Sequence, residues 1–164
     1  MIQRIQTVFL LLTALTLIAA LFFPIWSEVN PERTEQVELN VYELRYEQLN
    51  PDGSTGEIIS RKDTYYISLF LFAGAIVAFI SIFQYKNRLR QIQLGALNSL
   101  IIGGSIIFTW FVYINPADLV VDPTQQGKFE VSFYLPLVAL LLNSFANRFI
   151  RRDEKLVRSA DRLR

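Results

Sequence analysis

Hydrophobic residues in this chain gather into four long runs, separated by stretches that turn or alternate polar. The runs cover about 5–26, 65–84, 94–114 and 131–150, and the one charge inside them, Arg148, lies near the end of the last. Each holds roughly twenty residues, the length an α-helix needs to cross a hydrocarbon core of about 30 Å. The third run, LGALNSLIIGGSIIFTWFVYI, has sorted faces. At about 100° per residue, Gly95, Asn98, Ser99, Ile102, Gly103, Ile106 and Thr109 share one side. Leu97, Leu100, Ile101, Ile107, Phe108 and Phe111 share the other, with Gly104 the single small residue among them. The series Gly95/Ser99/Gly103 predicts close approach of a second helix, with Asn98 and Thr109 placed to hydrogen-bond across it. This run is the expected axis of a bundle.

The first run can be read as a secretory leader or as a membrane span. Its apolar core exceeds a typical leader, and only a weak cleavage site near Ala19–Ala20 can be drawn, so an uncleaved helix is expected. Pro24 then falls near the outer end, where a missing helix hydrogen bond matters little. Between the first two runs, residues 27–64 change period. Val37, Leu39 and Val41 alternate with polar neighbours, then Tyr42, Leu44 and Tyr46 alternate in the opposite phase, which suggests a bulge or an edge. The turn-rich Asn50-Pro51-Asp52-Gly53-Ser54-Thr55-Gly56 and a return strand at 57–61 complete a small β-hairpin. A short basic turn at 85–93 joins runs two and three. Residues 115–130 form a second loop, in which Leu119-Val120-Val121 is a possible added strand, and 151–164 is a charged tail.

The opening Met1-Ile2-Gln3-Arg4-Ile5-Gln6-Thr7 and the later Phe22-Phe23-Pro24-Ile25-Trp26 resemble a bacterial four-span membrane family of the Bacteroidetes lineage, domain of unknown function 4293. The resemblance extends over nearly the whole chain in the number and order of spans. It implies a bacterial cytoplasmic membrane location and supplies no catalytic residues.

Charge sets an orientation. Net charge is only +1, yet the acids Glu28, Glu32, Glu35, Glu38, Glu43, Glu47, Asp52, Glu57, Asp63, Asp118, Asp122 and Glu130 all fall in the two longer loops. Lys86, Arg88, Arg90, Arg148, Arg151, Arg152 and Arg158 fall on the other side. Basic segments stay cytoplasmic, so both termini are expected inside and the acidic loops outside. Trp26, Tyr65, Tyr66, Trp110, Tyr113 and Tyr134 then line one outer boundary, as lipid-interface anchors do.

Candidate chemistry is sparse. With no His, no Cys and a single Met, there is no thiol nucleophile, no Ser-His-Asp triad and no soft metal ligand set. Asn50-x-Asp52-x-Ser54 has a trace of a calcium loop, but Arg61 stands where the closing glutamate belongs, so a plain turn is expected. The spans lack the midplane charges that pumps and coupled transporters use. Asn98 and Asn143 are the sharpest intramembrane polar pair, open to two readings: a substrate contact, or a hydrogen bond between helices. The tail, read as a helix continuing the fourth run, could dock on anionic lipid or a cytoplasmic partner, or simply set topology.

The expected fold is all-α, a four-helix transmembrane bundle with a small extracytoplasmic β-hairpin. The expected role is a non-catalytic scaffold, assembly factor or accessory subunit of an envelope complex, without cofactor or metal. Its partners would be membrane lipids and other membrane subunits or further copies of itself, and not nucleic acid. A small channel or transporter component ranks second, and a lipid-acting membrane enzyme third.

Overall fold

The computed structural model describes residues 5–32, 34–50, 54–115 and 127–161. Its helices are α1 (Ile5–Ala19), prolonged by a 3-10 turn at Ala20–Phe22, α2 (Tyr65–Phe83), α3 (Arg88–Thr109), which loosens into a π turn at Trp110–Ile114, and α4 (Val131–Asp161). Four segments, Ile5–Phe22, Tyr65–Phe83, Arg88–Ile114 and Val131–Ser159, are long and apolar enough to cross a membrane. Each helix packs on two others in the cyclic order α1-α2-α3-α4. The tail does continue the fourth helix without a break, past Arg151.

The all-α expectation fails. Beside the helices lies a five-stranded antiparallel sheet, in the order β4-β3-β2-β1-β5. Its strands are β1 (Trp26–Val29), β2 (Glu35–Leu39), β3 (Glu43–Leu49), β4 (Thr55–Asp63) and β5 (Lys128–Phe129). Three sequence signals were misleading. The helical run stops before Pro24, so Trp26 begins a strand rather than ending a span. The phase change near Val41–Tyr42 is a chain reversal, with Asn40 N–H bonded to the Glu43 carbonyl at 2.8 Å. That reversal puts Leu39 opposite Leu44 and Val37 opposite Tyr46, so the two out-of-phase apolar series end on the same face. The real irregularity comes later, between Tyr46 and Leu49. Finally, β5 is only two residues long and pairs with β1; the strand expected at 119–121 lies outside the described residues.

Sheet and bundle share one core. Trp26, Val37 and Leu39 are buried together with Ile67, Leu71, Ile102, Tyr113, Ile114 and Ala139. Trp26 is 1% exposed. A side chain at Gly127 would collide with the Trp26 indole, so this glycine lets the β5 segment lie directly on the ring. Burying about 200 Å² of indole contributes roughly 5 kcal/mol at ~25 cal/mol per Å². On the opposite face, the nearly buried Glu43 carboxylate bridges Arg45 and Arg61, which sit directly across from each other on β3 and β4. Without it two like charges would face each other.

One bond gives the sheet a pH signature. The Tyr46 hydroxyl donates to the Glu35 carboxylate, and this bond, with burial and the nearby negative charge, holds the phenol above its ordinary value of 10.0. The fold favours the protonated phenol, so its contribution is complete below the ordinary value and is lost as pH rises through the higher folded one. Tyr46→Phe should therefore lower unfolding free energy by about 1 kcal/mol near neutral pH. Its deficit against the wild type should shrink above pH 10, as measured by chemical unfolding in detergent across that range. A deficit independent of pH would contradict this assignment.

Candidate functional site

The polar residues of the bundle converge on a seam between α3 and α4. Along α3 the buried positions are Gln91, Gly95, Asn98, Ile102, Ser105 and Thr109, the three- and four-residue spacing of one helical stripe. From α4, the fully buried Asn143 donates to the Gly95 carbonyl at 2.7 Å and to the Ser99 hydroxyl at 2.8 Å. Its Oδ1 accepts a long bond, 3.5 Å, from the Asn98 amide. Asn147, one turn further on, covers Gly95, whose missing side chain is the space it occupies. The seam reaches a third and a fourth helix at Gly74 of α2. A Cβ there would lie 3.2 Å from Asn98 Oδ1 and 3.1 Å from Leu17 of α1, tighter than ordinary packing. Nearer the helix ends, Gln91 donates to the Ser81 carbonyl at 2.9 Å. Buried Gln6 Nε2, Gln91 Oε1, Asn98 Oδ1 and Asn147 Oδ1 have no hydrogen-bond partner among the described residues.

Residues 2–163 match the family described as domain of unknown function DUF4293. The chain belongs to this family. No curated protein matches it. The seam of this DUF4293 protein is made of amides and hydroxyls, which donate and accept hydrogen bonds but do not titrate near neutral pH. Among the described residues, no group of three His, Cys, Asp or Glu could hold a metal ion.

The structure brings Gly95, Asn98, Ser99 and Asn143 together. It does not bring in Gly103, around which a Cβ would meet nothing within 4 Å. The second close approach is at Gly74 instead. Nor does Thr109 bond across helices: its hydroxyl donates to Ser105 of its own helix at 2.8 Å, as a buried hydroxyl does when no partner helix offers an acceptor. Among the aromatic anchors, Tyr65, Tyr66, Trp110 and Tyr134 are exposed, but Trp26 and Tyr113 are buried at 1% and 3% exposure and cannot face lipid. Both belong to the core that the sheet shares with the helices. Of the basic residues, Arg88 bonds the Asp153 carbonyl at 2.7 Å and Arg158 pairs with Glu154 at 2.8 Å, while Arg90, Arg151 and Arg152 are exposed.

Gln91 is hidden in the sequence because 85–93 looks like a turn. The helix begins at Arg88, capped by Asn87, whose side chain accepts from the Arg90 N–H. The signal was there: Gln91 lies four residues before Gly95 on the stripe already identified.

Asn143→Leu leaves the Ser99 hydroxyl and the Asn98 amide without a partner across the seam and should destabilise the bundle by about 1–2 kcal/mol. In a double-mutant cycle with Ser99→Ala, the coupling should reach about 0.6–1.7 kcal/mol, read from denaturant unfolding in detergent or bicelles. Strict additivity of the two changes would show that the Asn143–Ser99 bond contributes nothing.

Proposed function

We propose that this protein is a non-catalytic, multi-pass protein of the bacterial cytoplasmic membrane, a scaffold or accessory subunit that holds a partner on its extracytoplasmic sheet. Charge supports the orientation. The helix ends remote from the sheet carry Lys86, Arg88, Arg90, Arg148, Arg151, Arg152, Lys155 and Arg158 against Asp153, Glu154 and Asp161 among the described residues. Such basic ends remain on the cytoplasmic side. The polar core supports a structural role, since the donors of Asn143 and Gln91 are used to tie helices together.

The observation that carries the partner role is β4. It runs nine residues, Thr55–Asp63, and all but one of them are exposed. One of its edges pairs with β3, and among the described residues no strand pairs with the other. Ile58 and Ile59 stand 52% and 46% exposed on it. An open edge of this length offers unpaired N–H and C=O groups to an added strand, and neighbouring side chains supply selectivity. The partner is an extended segment of another envelope protein.

Two measurements test the reading. Because the chain has no cysteine, Ile58→Cys and Lys86→Cys each introduce a single thiol. An impermeant maleimide applied to intact spheroplasts should label position 58 and spare position 86; the reverse pattern overturns the orientation. A photo-crosslinker placed at Ser60 should trap one discrete protein in native membranes, and Ile58→Lys with Ile59→Lys should cut that yield at least fivefold. Absence of a discrete product, or a yield indifferent to the double change, overturns the partner role.

A further inference from the structure

At the end of the bundle remote from the sheet, α3 and α4 line a groove of about 1170 Å³. We propose that this groove binds one anionic phospholipid, its phosphate held by α4 and an acyl chain lying against α3. The proposal needs the bundle to be embedded in a membrane, and is independent of what docks on the sheet.

Arg148, Arg151, Arg152 and Lys155 all line the groove, at spacings of three, four and seven residues that bring them onto one stripe of α4. None of the four makes an ion pair among the described residues, and no acid lines the groove. Glu154 is turned away and committed to Arg158. Four unpaired cations in one concave site are a standing electrostatic demand for an anion, and guanidinium groups match phosphate oxygens two at a time.

The rest of the lining says what kind of anion. Ala96 and Leu100 of α3 form the inner wall, within a span that lacks charge from 94 to 114. Leu100 is 73% exposed, among the most open apolar side chains of the bundle. At 1.5 Å per residue, the four basic residues stretch from about 6 to 17 Å beyond the level of Ser144, which shares the groove with Leu100. One end is greasy and lies at membrane depth; the other is cationic and lies where headgroups are. A soluble phosphate would use only the cationic end, and an acidic peptide would have no use for the greasy one. A phospholipid uses both. Asn147 also lines the groove, between Ser144 and Arg148, and its side chain covers Gly95 there.

The test is native mass spectrometry of the full-length chain released from detergent, titrated with phosphatidylglycerol and, separately, phosphatidylcholine. The expected result is one tightly retained phosphatidylglycerol, preferred at least tenfold over phosphatidylcholine. Each basic residue near an anionic surface is worth roughly fivefold in affinity, so Arg148→Gln with Arg151→Gln and Arg152→Gln should abolish the preference. The change of Lys86 and Arg90, which lie outside the groove, to Gln should preserve it. Leu100→Trp fills the greasy end without altering charge or the buried core; it should weaken phosphatidylglycerol retention severalfold even if the triple variant fails to fold. Equal retention of the two lipids by the wild type, retention unchanged in Leu100→Trp, or displacement of the lipid by inorganic phosphate or by a polyglutamate peptide at equal concentration would each overturn the proposal.

Discussion

Where a helix stops at a membrane surface, it leaves backbone N–H or carbonyl groups that hydrocarbon cannot satisfy. In this protein the segments that flank the strands, and a neighbouring helix, satisfy several of them. The carbonyls of Pro24 and Ile25, just past α1, accept from the N–H groups of Ser132 and Glu130 at the start of α4, at 3.1 and 2.9 Å. The Ser132 hydroxyl donates to the Ala20 carbonyl. Ahead of α2, Thr64 donates its N–H to Tyr42 and its hydroxyl to Asn40, so the turn between β2 and β3 holds that helix end in place. Three helix ends are thus pinned to a single sheet by main-chain bonds, and the sheet cannot shift its register without freeing buried polar groups.

This constraint explains why the architecture was only half legible. The four helices announce themselves by length and by the absence of charge, properties of each segment alone. The sheet is a collective property. A four-residue strand at Trp26–Val29 and a two-residue strand at Lys128–Phe129 carry too little periodicity to be seen singly, and they form because the ends of α1 and α4 bring them together. The same holds for the two aromatic residues whose surroundings the sequence misrepresents. Trp26 and Tyr113 stand at positions where a bare helix would turn a ring to lipid, and only the strands laid over them make those positions interior. The polar seam was more readable, since Gly95, Asn98 and Ser99 follow helical period within one segment. Its partners on other helices, Gly74 and Asn147, required knowing which helix packs where.

Polarity along the bundle is uneven, and the unevenness follows from the same packing. Near the sheet, aromatic rings pack on one another: Phe129 lies 4.4 Å from Phe133 and 5.8 Å from Trp110, and Phe108 lies 5.8 Å from Tyr113. Toward the opposite end the interior holds Gln6, Ser81, Gln91, Asn98 and Asn143. Aromatic packing is tolerant of small adjustments, which suits a junction between two kinds of secondary structure. Amide bonds between helices fix rotation and height, which suits the end where no sheet does so. Gly95 and Gly74 sit where the second device is needed, because an amide can bridge two helices only if a backbone comes close.

An open sheet edge is normally a hazard, since any exposed strand can add to it. β4 tempers that hazard with charge: Glu57, Arg61, Lys62 and Asp63 share the strand with Ile58 and Ile59. Arg61 is held by Glu43, and Lys62 rests 5.3 Å over the Tyr113 ring, so both cations are positioned rather than free to sweep the surface. A chain with an arbitrary apolar strand would meet these fixed charges, and pairing with it would strip water from them without return. A strand that offers opposite charge at those two registers would avoid the penalty. Fixed charges on an edge that no described strand pairs with therefore discourage indiscriminate association, and Glu43 and the Tyr113 ring are what hold those charges in place.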